Sequence, residues 1–449
     1  MSQLMVSISG IRGVVGEGLT PEVVLSFAQA FGTYCHSGRV VLGRDSRVSG
    51  PMLQSIVTAG LLATGCEVID LGIAPTPTTQ LATEHLHAAG GIILTASHNP
   101  VMWNGLKLLA GDGLFLDGEQ GAQVLRLHEQ KKYACKTWEG LGQASRYEKA
   151  IDDHLRAVIN LPFLDVEKIR RKKFKIVADC VHGAGGVIIP KLLEQLGCVA
   201  TYLNLEPHGR FPRNPEPLPE NLGLLCETVK AQDADLGLAV DPDADRMALV
   251  SERGIPLGEE YTLALAVDFM LNVKKGKVAT NVSTSLAIDD IAAKYGCTVE
   301  RTKVGEINVA KRMRETGAVI GGEGNGGVIL PEVHLGRDAM AGSALVLQHL
   351  ANFGGPLSEL HASLPQYVMC RHKIELEDRG QVNKILPKIL ARYAGERIDT
   401  LDGVKILRDK SWVQVRASNT EPIMRIMAEA PTAGAAEKLC KELATFIFS

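Results

Sequence analysis

Three stretches of this chain repeat one order of parts: an apolar strand, a helical stretch, a Gly-Cys step into a second strand, and later an apolar strand that runs into unusual residues. The first starts at Val40-Val41-Leu42-Gly43-Arg44-Asp45 and passes Gly65-Cys66-Glu67-Val68-Ile69. It ends where Gly91-Ile92-Ile93-Leu94 meets Thr95-Ala96-Ser97-His98-Asn99-Pro100. The second starts at Phe174-Lys175-Ile176-Val177-Ala178-Asp179, passes Gly197-Cys198-Val199-Ala200 and ends in Asp241-Pro242-Asp243-Ala244-Asp245-Arg246. The third starts at Gly276-Lys277-Val278-Ala279-Thr280, passes Gly296-Cys297-Thr298-Val299 and ends in Gly322-Glu323-Gly324-Asn325-Gly326-Gly327. Strands alternating with helical stretches predict parallel βαβ units, whose ligands bind at the carboxyl ends of strands. Three such units facing one cleft would bring the Ser97, Asp241 and Glu323 loops together. The Gly-Cys steps need no redox chemistry, because a small apolar residue entering a buried strand accounts for Cys66, Cys198 and Cys297.

The last eighty or so residues break the pattern. Trp412-Val413-Gln414-Val415-Arg416 and Ile423-Met424-Arg425-Ile426-Met427 read as two strands joined by Ala417-Ser418-Asn419-Thr420-Glu421-Pro422, with a final helix from about Ala433 to Phe446. The expected fold is therefore α/β: three similar mixed-sheet βαβ domains, 1–150, 151–255 and 256–367, followed by a smaller α+β domain, 368–449.

A chain of 449 residues has room for three or four domains, each with its own core. A net charge of −3 argues against a nucleic-acid surface, which needs a clustered basic face. Nine cysteines, an odd number without close pairs, do not read as a disulfide framework or a zinc site. No apolar run approaches the roughly 18 residues of a membrane span, and the N-terminus lacks a basic segment followed by a long apolar one. A reducing cytoplasm, no membrane partner, and either a monomer or a homodimer fit these features.

Asp241, Asp243 and Asp245 repel one another unless something positive holds them, and side chains two apart on an extended segment point the same way. A hard divalent cation such as magnesium suits them. An EF-hand also opens with Asp at its first, third and fifth positions, but its sixth must be Gly; here it is Arg246, and a strand precedes it instead of a helix. A solvated acidic turn is the plain alternative, although the triplet directly follows the apolar run Leu236-Gly237-Leu238-Ala239-Val240.

Ser97 lies beside His98, with Lys107 a little further on. The flanking residues do not form the Gly-x-Ser-x-Gly elbow of a serine hydrolase. A serine that carries a phosphoryl group fits better, since it would offer a magnesium ion an oxygen alongside those of the aspartates. Arg416, Ser418, Asn419, Thr420 and Arg425 form the densest group of phosphate donors, with a polar hairpin turn as the equal alternative. Arg12 and Arg246 are further phosphate candidates. Glu323 and Asn325, set among glycines, suit sugar hydroxyls; a dinucleotide loop would instead open a helix.

Together these four loops resemble those of the α-D-phosphohexomutase superfamily, and the resemblance runs from Ser9 to Arg425. It implies a heart-shaped, four-domain enzyme that moves a phosphoryl group between C1 and C6 of a hexose. Phosphorylated Ser97 would donate to a sugar monophosphate, and a hexose 1,6-bisphosphate would turn over in the cleft and return its other phosphoryl group. The resemblance assigns magnesium to Asp241, Asp243, Asp245 and the phosphoserine, and catalytic roles to Arg12, His98 and Lys107, the last a candidate acceptor of the hydroxyl proton. It adds Arg246, Gly305, Glu323, Asn325 and the 416–425 loop as substrate contacts. Many relatives end the sugar loop with a His where this chain has Gly327, which leaves His334 as a possible substitute base. The loops at Ser9 and Gly322 resemble the branch acting on glucosamine phosphate, with mannose and glucose phosphates as rivals. A sugar phosphatase and a non-catalytic sugar-phosphate binder are the alternatives of different class.

Overall fold

In each repeat three parallel strands are followed by an antiparallel return strand. The computed structural model describes residues 4–7, 10–376, 379–417 and 423–448. In the first repeat Arg39–Arg44 lies between Glu67–Ile73 and Gly90–Leu94, parallel to both, and Trp103–Ala110 returns along Gly90–Leu94. The second places Lys175–Asp179 between Val199–Leu203 and Leu236–Val240, with Met247–Ser251 returning. The third places Val278–Asn281 between Val299–Thr302 and Ile320–Glu323, with Gly327–Leu330 returning. The mixed sheets expected from the sequence are present, because the loops at Ser97, Asp241 and Gly324 are too short for a crossover and can only turn the chain back. The sheets are therefore mixed, and each distinctive loop is the turn between its third strand and the return strand.

The Gly-Cys steps are helix stops. Gly65, Gly197 and Gly296 have φ of +81°, +69° and +68°. The N–H of the following cysteine donates to a carbonyl five residues back, at Leu61, Leu193 and Ala292 respectively. This left-handed stop satisfies last-turn carbonyls, and it explains why the same dipeptide recurs. The cysteines themselves differ: Cys66 is buried, whereas Cys198 and Cys297 are only half-buried. The reason is position, since Val199–Leu203 and Val299–Thr302 are edge strands while Glu67–Ile73 is flanked by Ala144–Arg146.

The fourth sheet is wholly antiparallel, ordered Val368–Glu375, Ile423–Ala430, Ser411–Ala417, Val404–Arg408 and Arg397–Asp399. The helix Ala433–Phe448 packs on it through Cys440 and Leu443. The first and fourth sheets each have their own core. The second and third each keep a smaller cluster on one face and share the other, where one continuous apolar cluster joins Ile176 and Leu238 to Val278 and Ile320. Helices Glu259–Val273 and Ala339–Phe353, buried along most of their length, run through that shared core.

Candidate active site

The turn after Gly90–Leu94 holds Ser97 in the left-handed region, φ +48°, a conformation that costs a non-glycine residue roughly 1–2 kcal/mol. A buried scaffold offsets this. Thr95 Oγ1 accepts the Ser97 N–H (2.9 Å) and donates to Asp45 Oδ2 (2.6 Å). The fully buried Arg47 pairs with Asp45 (3.0 Å) and donates to the carbonyls of Ser97, Asn99, Pro100 and Trp103 at 2.6–2.9 Å. Neither Asp45 nor Arg47 stands out in the sequence as a site residue. The only local signal is an acid and a base two apart at the end of the first strand, where side chains share a face.

Ser97 Oγ donates to Asp241 Oδ2 at 3.1 Å, across 144 residues of chain. Asp241, Asp243 and Asp245 are fully buried, and an oxygen from each lies within 4.8 Å of the others. Asp243 Oδ1 and Asp245 Oδ1 have no hydrogen-bond partner. Buried carboxylate oxygens without partners are costly, and hard oxygen donors gathered this way fit a magnesium ion, with Ser97 beside them. Burial, reinforced by the charges of Asp245 and Asp243, pushes the Asp241 carboxyl well above its usual value. Burial also acts on Asp243, but the Lys107 ammonium at 2.6 Å and the Thr76 hydroxyl at 2.7 Å outweigh it and hold that carboxyl below its usual range.

Lys107 projects from the return strand Trp103–Ala110. Burial pulls its pKa down, but Asp243 and Asp245 more than offset this and keep it protonated. To accept a proton it must first be released from Asp243, and a cation in the loop would compete with the ammonium for that carboxylate. His98, 3.4 Å from Ser97 Oγ, is held well below its ordinary pKa by burial and by the charges of Arg246 and Arg12. Arg12 donates to Asn99 Oδ1 (3.2 Å), and Arg246 to Glu216 Oε1 (3.2 Å).

The third loop is tied to the second by a residue the sequence did not single out. Buried Arg337 pairs with Asp245 (2.7 Å), Glu306 (2.9 Å) and Glu323 (2.9 Å). Glu323 also accepts from Asn281 Nδ2 (2.8 Å) and the Gly305 N–H (3.0 Å), and Asn325 Oδ1 accepts the Gly327 N–H (3.3 Å). A Cβ at Gly327 would lie 2.2 Å from Arg337 Cδ, so the side chain missing at 327 makes room for the arginine. His334 does not replace it. It is buried 3.5 Å from Asp338, its ring 6.1 Å from that of His154, and it does not line the cleft.

Arg416 and Arg425 face each other on paired strands of the fourth sheet, both lining the cleft. Burial, with the like charge of Arg425, lowers the Arg416 pKa against the pull of Asp402, and its buried Nε has no hydrogen-bond partner. Two guanidiniums crowded together suit a phosphate. Ser418, Asn419 and Thr420 lie outside the described residues. The cleft, about 740 Å³, is lined by Arg12, Ser97, His98, Lys107, Arg246, Gly305, Glu323, Asn325, Arg416 and Arg425. That volume suits a sugar phosphate.

Sequence profiles of phosphoglucomutase/phosphomannomutase α/β/α domains I, II and III match residues 4–134, 152–254 and 258–367, and the profile of the C-terminal domain matches 373–446. The chain is 44% identical to a phosphoglucomutase/phosphomannomutase of Thermococcus kodakarensis, covering 94% of this chain and 93% of that one. It is 41% identical to a probable phosphoglucosamine mutase of Methanopyrus kandleri, with 98% and 96% covered. Its fold matches the crystal structure of a putative phosphomannomutase from Thermus thermophilus, with a TM-score of 0.86 at 27% identity over the whole of both chains. The threefold repeat, the three converging loops with the Arg416–Arg425 pair beside them, and these similarities agree: the chain belongs to the phosphoglucomutase/phosphomannomutase family of phosphohexomutases.

Proposed function

We propose that the chain interconverts hexose 6-phosphate and hexose 1-phosphate through a phosphoserine at Ser97 and a hexose 1,6-bisphosphate, with glucosamine phosphate as its substrate. One observation carries the reading: Ser97 Oγ touches Asp241 within a buried triplet that keeps two carboxylate oxygens without partners. Asp241, Asp243 and Asp245, with the phosphoserine, would hold magnesium, which supplies charge stabilisation to the transferring phosphoryl group. In the first transfer the bond from phosphorus to Ser97 Oγ breaks, a bond to the sugar hydroxyl oxygen forms, and the hydroxyl proton passes to a base; in the second the bond from phosphorus to the other sugar oxygen breaks, that oxygen takes up the proton, and the bond to Ser97 Oγ forms again. Lys107 takes that proton once it is freed from Asp243. Arg12, His98 and Arg246 surround the transferring group. Arg416, Arg425 and the 418–420 segment hold the distal phosphate, and Glu323, Asn325 and the Gly305 backbone face the sugar. The same reading divides the chain at about 150, 255 and 367. No helix among the described residues is long and apolar enough to cross a membrane, and we place the enzyme in the cytoplasm.

The 44% identity to a phosphoglucomutase/phosphomannomutase favours a second reading in which glucose and mannose phosphates are the substrates. Comparing kcat/KM for glucosamine, glucose and mannose phosphates separates the two. In the same assay Ser97→Ala should lower flux by orders of magnitude, and inorganic phosphate should not accumulate. Phosphate released in step with substrate loss would make the protein a phosphatase, and unchanged binding with no turnover would make it a binder.

A further inference from the structure

On the fourth sheet, at the edge of the cleft that His372 also borders, the last helix and the edge strand bring sulfur, nitrogen and oxygen donors together. Cys370 and His372, two apart on Val368–Glu375, share the face that also buries Ile374 against the helix Ala433–Phe448. Glu437 and Cys440, three apart on that helix, share the face turned toward them. Cys370 Sγ donates to Glu437 Oε2 (2.8 Å), and His372 Nε2 lies 3.4 Å from the same oxygen. The other carboxylate oxygen, Oε1, pairs with Lys441 at 3.2 Å, so Oε2 alone faces the cluster. The Cys440 thiol donates to the Cys370 carbonyl (3.6 Å). One ligand atom each from Cys370, His372 and Glu437 lies within 4.8 Å of the other two.

We propose that Cys370, His372 and Glu437 form a second metal site, for a zinc-like divalent ion, which clasps the last helix to the edge strand. Donor atoms around a tetrahedral zinc stand roughly 3.3–3.8 Å apart, given metal–ligand distances of about 2.0–2.3 Å. The His372–Glu437 spacing already falls there, and Cys370 needs only a small retreat once its proton is lost to solvent. Thiolate and imidazole select a borderline-soft ion over magnesium, which keeps the two sites chemically distinct. The ion's role is structural: the opposite face of the same strand sends Arg371 to Glu259 (2.8 Å) at the cleft wall, so clasping the strand steadies that wall. Spacing in the sequence hid this cluster, because 67 residues separate Cys370 from Glu437.

The test is a cobalt(II) titration of the reduced full-length chain in excess magnesium. One equivalent should bind with a thiolate-to-cobalt charge-transfer band and release of protons. Cys370→Ser should abolish the band, and Asp243→Ala should leave it intact. His372→Ala, a change at a half-exposed position, should weaken cobalt binding on the order of 10–100-fold. Circular dichroism establishes that each variant is folded. The absence of a thiolate band in the wild-type chain overturns the site, as does a band that survives Cys370→Ser or an affinity unaffected by His372→Ala.

Discussion

Arg337→Met tests how the Asp241–Asp245 and Glu323 loops are held in one piece. The substitution preserves most of the volume but removes a guanidinium that three buried carboxylates share, at 2.7 Å to Asp245 and 2.9 Å to both Glu306 and Glu323. Removing one partner of a buried pair costs about 3–5 kcal/mol. Each acid keeps something: Asp245 has Lys107 at 3.6 Å, Glu323 has Asn281 and the Gly305 N–H, and Glu306 has Gln80 at 3.1 Å. These neutral and longer contacts keep the loss within that range, not at three times it. The sign with pH is also determined. Burial already raises the Glu306 carboxyl against the pull of Arg337, and loss of the arginine raises it further. A raised folded-state pKa contributes stability below the unfolded value and loses it as pH rises. The difference between variant and wild type should therefore be largest above neutrality and shrink as pH falls toward the ordinary carboxylate range. Urea unfolding of both proteins across that pH series measures it. A loss under about 1 kcal/mol, or one that grows as pH falls, would refute the reasoning.

Asp243→Ala removes an orphan oxygen and frees Lys107, so the magnesium concentration needed for half-maximal rate should rise at least tenfold; an unchanged requirement would show that the triplet is not the metal loop. Glu260, at the cleft wall, has a carboxyl raised to about 8, first by burial and then by Glu429 and Glu259, against the pull of Arg371. Its contribution to stability should fall as pH rises from about 4.5 and be gone above about 8, and Glu260→Gln should flatten that part of the stability profile. A profile identical to wild type would contradict this. Arg425→Ala should raise KM for the sugar phosphate by roughly tenfold or more with a smaller change in kcat, and steady-state kinetics showing the same KM would remove it from the phosphate site.

The loops were legible in the sequence because each repeat ends its helices with the same local device and then runs an apolar strand into residues that apolar strands do not otherwise carry. Gly65-Cys66, Gly197-Cys198 and Gly296-Cys297 are local signals, and so is the alternation at Asp241, Asp243 and Asp245. What holds the loops in place was not legible. Arg337 reaches Asp245 across 92 residues and Arg47 reaches Ser97 across 50, and for Arg47 the nearby Asp45 is the one local mark. The shared core of the second and third sheets was missed for a similar reason: a helix such as Glu259–Val273, apolar on nearly all faces, reads the same whether one sheet or two cover it. Gly327 appeared as a missing histidine until the Arg337 side chain was seen to occupy its space.

The central claim is that Ser97 carries the phosphoryl group, and mass measurement of the intact chain and its peptides tests it directly. After incubation with a hexose 1,6-bisphosphate and magnesium, one phosphoryl group should be found per chain, confined to the peptide bearing Ser97. Adding hexose monophosphate should discharge it into bisphosphate. A chain that stays unmodified while turning over substrate, or one labelled at a residue other than Ser97, would contradict the account.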